Sequence, residues 1–255
     1  MWSLIIVAFM LYVIAGTCAS IVYHRILSHR TLRLRPWFEY GLTILALPAG
    51  TPVQWVGTHR QHHLYTDTIH DPHSPYIHGF WYAHCGWYIY THQKVQCMLY
   101  ACLGSLRIFF DAYWRPRHGL EYNTHAQDVA AIAFYEWVSR PFNYAVIMVT
   151  SGVMYHAIFY LIWGITGLGV LWACFFIIYN LGDAVNSLGH SKHFDADAKS
   201  AAINSSLLNF VVMGEGYHLK HHQNPGLFNS SARRYSLSNG IINLWLALKL
   251  ARINS

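Results

Sequence analysis

Apolar runs punctuated by histidines set the pattern of this chain. Residues 2–23 contain no Asp, Glu, Lys or Arg. At about 1.5 Å rise per residue, a run of roughly 20 apolar residues crosses the hydrocarbon core of a bilayer. The run ends at His24 and Arg25, with Arg30, Arg33 and Arg35 close behind. Residues 37–57 are also largely apolar, but Gly41, Pro48, Gly50 and Pro52 interrupt them. If the histidine-bearing stretches on either side build one site, they share one side of the membrane. This segment therefore reads as a re-entrant or interfacial element buried against protein, where irregular backbone is tolerated. Asp71-Pro72 and Ser74-Pro75 mark a loop. From Val95 to Tyr113 apolar positions recur at helical amphipathic spacing as far as Pro116, and Asp128 to Ser139 predicts a second short helix ending at Pro141. Both belong to a cap on the histidine side. Residues 142–182 carry no charge, enough for two spans joined near Gly164, Gly167 and Gly169. Ile241, Ile242, Trp245, Leu246 and Leu248, followed by Lys249 and Arg252, predict an interfacial helix.

Composition turns this pattern into a class. Of 255 residues, 54% are hydrophobic and 11% charged, against about 25% charged in soluble domains. The reading is an all-α integral membrane protein of one domain, 1–255. Its spans are about 2–23, 142–163 and 168–185, three in number, or four if a further helix precedes the first. The cap, about 58–140 and 186–255, carries the site. The net charge of +6 is too thinly scattered for nucleic acid and follows the positive-inside rule: all 17 Lys and Arg fall on the histidine side, which is therefore cytoplasmic. The N-terminus lacks the basic region and cleavage site of a signal peptide and reads as a retained helix. Five cysteines without a C-x-x-C pair support neither a disulfide framework nor a zinc ribbon.

The chemistry lies in four histidine clusters. GTHRQHHLY places His59, His62 and His63 at i, i+3 and i+4, one face of a helix. GEGYHLKHH repeats the spacing with His218, His221 and His222, and NSLGH sets Asn186 one turn before His190. YHRILSHR holds His24 and His29. Five residues on an unbroken α-helix rotate by about 140°, so either the helix changes course between these two or they serve different metal ions. Nine imidazoles exceed the four ligands of one tetrahedral zinc site and imply two metal ions. Asp67, Asp71 and Glu215 are candidate hydrogen-bond acceptors for ligand imidazoles. His156 reads as a packed, hydrogen-bonded core residue. His70, His73, His78, His84, His92, His118, His125 and His193 read as surface or supporting residues, with His73 the strongest exception.

These boxes, in their H-x4-H, H-x2-HH, N-x3-H, H-x2-HH order, together with DTIHDPHSP and HCGW, resemble the membrane fatty acid desaturase family, in particular its stearoyl-type, Δ9-like branch. The resemblance runs from about Met1 to about Arg234. It implies two iron ions held by His24, His29, His59, His62, His63, His190, His218, His221 and His222, with Asn186 supporting one through a water. It implies O2-dependent desaturation of a long acyl chain, with electrons from a separate ferredoxin or small haem cytochrome. The substrate it implies is an acyl-lipid, acyl-CoA or acyl-carrier protein. Members that use acyl-CoA carry a basic cluster shortly after the HxGW element, where this chain has only Lys94. The alternative is a membrane di-iron hydroxylase of an alkane, sterol or fatty acid. An apolar tunnel is expected beside the metal, with Trp55, Trp81, Trp87 and Trp172 as candidate walls; the remaining Trp and Tyr suit an interfacial belt.

Overall fold

The computed structural model describes residues 2–115, 124–191, 200–226 and 236–254. His118 and His193 lie outside the described residues. Among the described residues the chain is mostly helical, with two short paired strands.

Helix α1 (Trp2–Thr17) runs without a break into a π-helical segment, Cys18–Ser28, and the two together are long and apolar enough to cross a membrane. Strand β1 (Leu32–Leu34) follows, then α2 (Pro36–Ala46). The predicted element over 37–57 is in fact two helices. The chain breaks at Gly50, and Thr51 then caps α3 (Pro52–Tyr65) by accepting from the Gln54 N–H, with Pro52 at the first helical position. Thus α3 begins inside the predicted re-entrant segment and carries on through the whole second histidine box. Two short helices follow, α4 (Pro75–His78) and α5 (Phe80–His84).

The predicted helix from Val95 to Tyr113 is bent by 98° into α6 (Lys94–Ala101) and α7 (Arg107–Trp114). Gly104, at φ +55°, makes the bend; a Cβ there would lie 2.5 Å from the Trp172 ring, so only glycine permits both the left-handed backbone and the close approach. The second predicted helix is likewise two, α8 (Gln127–Ala130) and α9 (Ala133–Ser139), separated by extended backbone at Ile132.

Next, α10 (Pro141–Ser187) is a hairpin broken at Gly164, whose φ of 62° and ψ of −148° suit glycine alone. Tyr155 packs on Phe175 across it. The turn needs Gly164 rather than the stretch to Gly169, and the second arm continues two residues past the expected end. The first turn of α1 lies against this bend, where Trp163 Nε1 donates to Ser3 Oγ. Last come α11 (Ser206–Val211), α12 (His218–Gln223), α13 (Leu237–Ala247) and β2 (Ala251–Ile253). Strand β2 pairs antiparallel with β1 and ties the last residues to the stretch after His29; the sequence reading missed this sheet. Among the described residues, two helices are long and apolar enough to span a membrane, three if the bent α6–α7 pair counts as one.

Candidate metal centre

The π-helical winding brings His24 and His29 together. The His29 N–H bonds to the His24 carbonyl, an i→i+5 bond of 3.1 Å, so the turn is wider than an α-turn and both side chains leave the same side. Their rings lie 4.9 Å apart. The helix does change its winding, and the pair serves one group.

Each H-x2-HH box, by contrast, is divided between two groups. On α3, His59 and His63 join His24, His29 and His221, while His62 joins His190, His218 and His222. On α12 the division is reversed: the i, i+4 pair His218 and His222 goes to the second group and His221 to the first. Within each group one nitrogen from every residue lies within 4.8 Å of the others. The nine histidines of the sequence motifs therefore form one partly buried group of five and one largely buried group of four, with helices α3 and α12 shared between them.

Carboxylates set the tautomers. His24 Nδ1 lies 2.7 Å from Glu215, His62 Nδ1 2.9 Å from Asp71, and His190 Nδ1 3.0 Å from Asp67. Each Nδ1–H is donated outward, which leaves the Nε2 lone pair facing the group. Glu215 also accepts from Ser20 and approaches Arg25 at 3.7 Å. Asp67 also accepts from Ser74 Oγ at 2.6 Å and from the Ala201 N–H at 2.7 Å. Burial pushes both carboxyls up, but these partners outweigh it and hold them below the usual carboxylate range. Asp71, wholly buried, is pushed up by that burial.

The imidazoles shift the other way. Burial, and then the crowding of other imidazoles, pushes His29, His59, His62, His218, His221 and His222 well below the ordinary value, and His63 down to about 2. Neutral imidazoles are the metal-binding form. The donor set fits a cation: Nε2 atoms face one another at 2.9 Å for His24–His221 and His63–His221, and at 3.2 Å for His62–His222 and His218–His222. The Nε2 of buried His190 has no partner among the described residues. Lone pairs converging in a dry site repel unless a positive ion lies between them.

A cavity of about 220 Å³ opens beside these groups. His24, His59, His62 and His218 form one part of its wall; Leu11, Ala15 and Phe175, from α1 and α10, form another. Asn186 lines it too. Of the four candidate tryptophans, Trp55 and Trp87 line the cavity. Trp81 packs instead on the Cys85–Cys97 cluster, and Trp172 fills the α6–α7 bend and stacks on Phe176. An indole can fill a bend or a helix contact as readily as a tunnel wall, and the sequence does not separate these uses.

Among the other histidines, His156 is half-buried and hydrogen-bonded, with partners Ser105 Oγ and the Gly152 carbonyl. His84 is buried, hydrogen-bonded to Ser187 and Asn180, so of the two alternatives, surface or supporting, it does not take the surface one. His73 is buried 4.5 Å from the His62 ring and lines the cavity; with His62 and Asp71 it forms a third potential metal-holding set. Sequence reasoning missed the buried charges Arg107, Asp111, Arg115 and Asp183. The i, i+4 and i, i+8 spacing of Arg107, Asp111 and Arg115 was the available signal.

The fatty acid desaturase family model matches residues 1–235. The chain is 30% identical to an sn-1 stearoyl-lipid 9-desaturase of Anabaena variabilis over 258 residues, covering 99% of this chain and 82% of the relative. It is 31% identical to an sn-2 palmitoyl-lipid 9-desaturase of Nostoc sp. over 223 residues, 84% of this chain and 67% of the relative. Against an acyl-CoA 5-desaturase of Anemone leveillei the identity is 30% over 254 residues, 98% and 69% of the two chains.

Proposed function

The chain belongs to the fatty acid desaturase family, and we propose that within it the protein inserts a Δ9-like double bond into a long acyl chain at two iron ions. It is an oxidoreductase of lipid metabolism and an integral membrane protein. The observation that carries the reading is the pair of histidine groups, five and four residues strong, at the wall of a cavity that reaches between α1 and α10.

Five histidines would hold one iron and four the other, and Asn186 would act on the second through a water. Bound iron supplies the activation of O2 and the abstraction of two hydrogens from adjacent methylenes. The balance is CH2–CH2 plus O2, two electrons and two protons to CH=CH and two waters. A separate ferredoxin or small haem cytochrome supplies the electrons. The residues of this chain do the rest. Asp67, Asp71 and Glu215 fix the imidazole tautomers, and the apolar cavity walls exclude water and hold the chosen methylenes against the site. Relatives act on acyl-lipids and on acyl-CoA. With Lys94 the single basic residue soon after Trp87, an acyl-lipid is the substrate we favour. The positive-inside distribution supports a site on the cytoplasmic side.

Expression in a host lacking Δ9 products, with mass spectrometry of its lipids, tests this. Loss of two hydrogens is the expected product. Gain of one oxygen would identify a hydroxylase instead. The His62→Ala variant should lose the product while the protein stays in the membrane.

A further inference from the structure

The bent pair α6–α7 is turned inside out. From Met98 to Tyr113 its exposed side chains are Met98, Leu99, Cys102, Leu106, Phe110 and Tyr113, and none is Asp, Glu, Lys or Arg. The charged residues of the same stretch, Arg107 and Asp111, have no exposure at all. Water favours the opposite arrangement, with charge outside and large apolar groups inside. Leu99 is 65% exposed, Leu106 52% and Tyr113 62%. Leu106, Phe110 and Tyr113 stand at i, i+4 and i+7, a single strip along α7 and the turn before it.

The buried charges find their partners within the protein. Arg107 donates to Asp183 of α10 at 2.7 Å and to Asp111 at 3.3 Å. Arg115, the residue after α7, lies 3.1 Å from the same Asp111 oxygen. Tyr100 donates to Asp111 at 2.6 Å. Two arginines balance two aspartates. Paired and turned inward is the form in which ionisable side chains are tolerated at membrane depth.

The arms of α10 give the depth. Its first arm runs from Pro141 to the break at Gly164, about 34 Å at 1.5 Å per residue, against a hydrocarbon core of about 30 Å. The α6–α7 bend reaches far along these arms. Ser105 Oγ and His156 Nε2 are hydrogen-bonded at 3.0 Å, and a Cβ on Gly104 would lie 2.5 Å from the Trp172 ring. His156 and Trp172 each stand eight residues from Gly164, about 12 Å along the axis. The bend is therefore more than halfway from the histidine end to the far turn. Nearer the histidine end, Phe109 closes on Gly152, where a Cβ would lie 2.8 Å from its ring. Both ends of the pair return to the histidine side. Tyr88, ahead of α6, donates to Asp183 at 3.0 Å, and Arg115, after α7, lies 4.1 Å over the Tyr88 ring. The irregular backbone at the bend is buried at Gly104 and Ser105 and bonded to itself, the Leu103 N–H to the Tyr100 carbonyl and the Leu106 N–H to the Leu103 carbonyl. Irregular backbone at membrane depth requires this.

We propose that α6–α7 is a re-entrant helical pair that dips from the histidine side into the bilayer, with the acyl chains of that leaflet as the partner of its exposed face. It is then no part of the water-facing cap that the sequence suggests. The neighbouring first arm of α10 is apolar outside as well, with Val149 and Val153 exposed, so lipid covers both. The closed set of charges holds the pair to α10 at Asp183, three residues before Asn186. The proposal rests on α10 as a transmembrane hairpin and not on the reaction.

The test is fluorescence quenching on the purified full-length protein in lipid nanodiscs. A Cys102→Ser background leaves only buried cysteines. Leu106→Cys, Phe110→Cys, Val153→Cys and Lys94→Cys are each labelled with an NBD dye. The probes are iodide in the water and doxyl groups on the lipid chains. The expected result is quenching by doxyl lipid and loss of iodide quenching at Leu106 and at Phe110, as at Val153, with the reverse at Lys94. Iodide quenching at Leu106 and Phe110 as strong as at Lys94 puts this face in water and overturns the proposal. Protection from both quenchers puts protein over it, a second copy included, and overturns it too. Iodide quenching at Val153 overturns the α10 hairpin and the proposal with it.

Discussion

At the scale of single residues the site is a matter of which nitrogen faces inward. Asp67 holds His190 through Nδ1 and is itself held by Ser74 and Ala201. Asp67→Asn should disturb that tautomer and reduce metal affinity or activity by about 10–100-fold. Metal content per chain, read by elemental analysis alongside lipid desaturation, checks this. Asn186→Ala should differ in kind, cutting turnover far more than iron content; an unchanged rate would reduce Asn186 to a cavity-wall residue. The imidazole shifts also fix a pH dependence. Folded His29, His59, His63, His218, His221 and His222 lie below the unfolded value of about 6.5. Between the folded and unfolded values the unfolded chain binds more protons, so stability falls as pH falls through that window. The contribution is complete above about pH 6.5 and is lost progressively below it. Metal-free protein in detergent should therefore melt lower at pH 5.5 than at pH 8, and an equal melting temperature would contradict the buried neutral cluster. The residue types and spacings of all nine histidines were legible in the chain. Their partition was not, because one helix face can serve two neighbouring ions when the second helix crosses it in the opposite sense.

At the scale of elements, departures from regular helix position the site. The π-turn aligns His24 with His29, a solution that α-helical arithmetic alone could only pose as a choice. The bends at Gly104 and Gly164 are glycine-dependent, but for different reasons. At Gly104 a side chain would meet the Trp172 ring, whereas nothing lies within 4 Å of a Cβ at Gly164. Gly164→Ala should therefore act through backbone conformation alone and cost about 1–3 kcal/mol. Thermal unfolding in detergent would show the loss, and an unchanged midpoint would mean that the hairpin turn relaxes freely. The hairpin itself was legible because an uncharged run of this length has room for two spans and glycines mark its middle. The α6–α7 bend was not. Amphipathic spacing continues across it and carries no sign of buried charge, whereas Arg107 and Asp111 are wholly buried by pairing with each other and, for Arg107, with Asp183.

At the scale of the whole molecule, the spans sort the chain into two ends. Ser3 and the Gly164 bend meet at one end, joined by the hydrogen bond from Trp163. The histidine groups gather where the π-helical segment and the last turn of α10 emerge at the other. If α1 with its π-helical extension crosses once and α10 crosses twice, three spans result, and Ser3 and the bend share the side away from the histidines. Arg25, Arg30, Arg33 and Arg35 weigh against moving the histidine end outward, since each costs about 2.5–3.5 kcal/mol at the bilayer centre and translocates poorly. Cysteines introduced singly at Ser3 and at Thr166, both exposed, in a background without Cys18, Cys85, Cys97, Cys102 and Cys174, should both react with a membrane-impermeant thiol reagent on intact cells. Reaction of both only after lysis would invert the orientation. Reaction of one before lysis and the other only after it would place the two on opposite sides, which the Ser3–Trp163 contact forbids, and would overturn the arrangement of the spans.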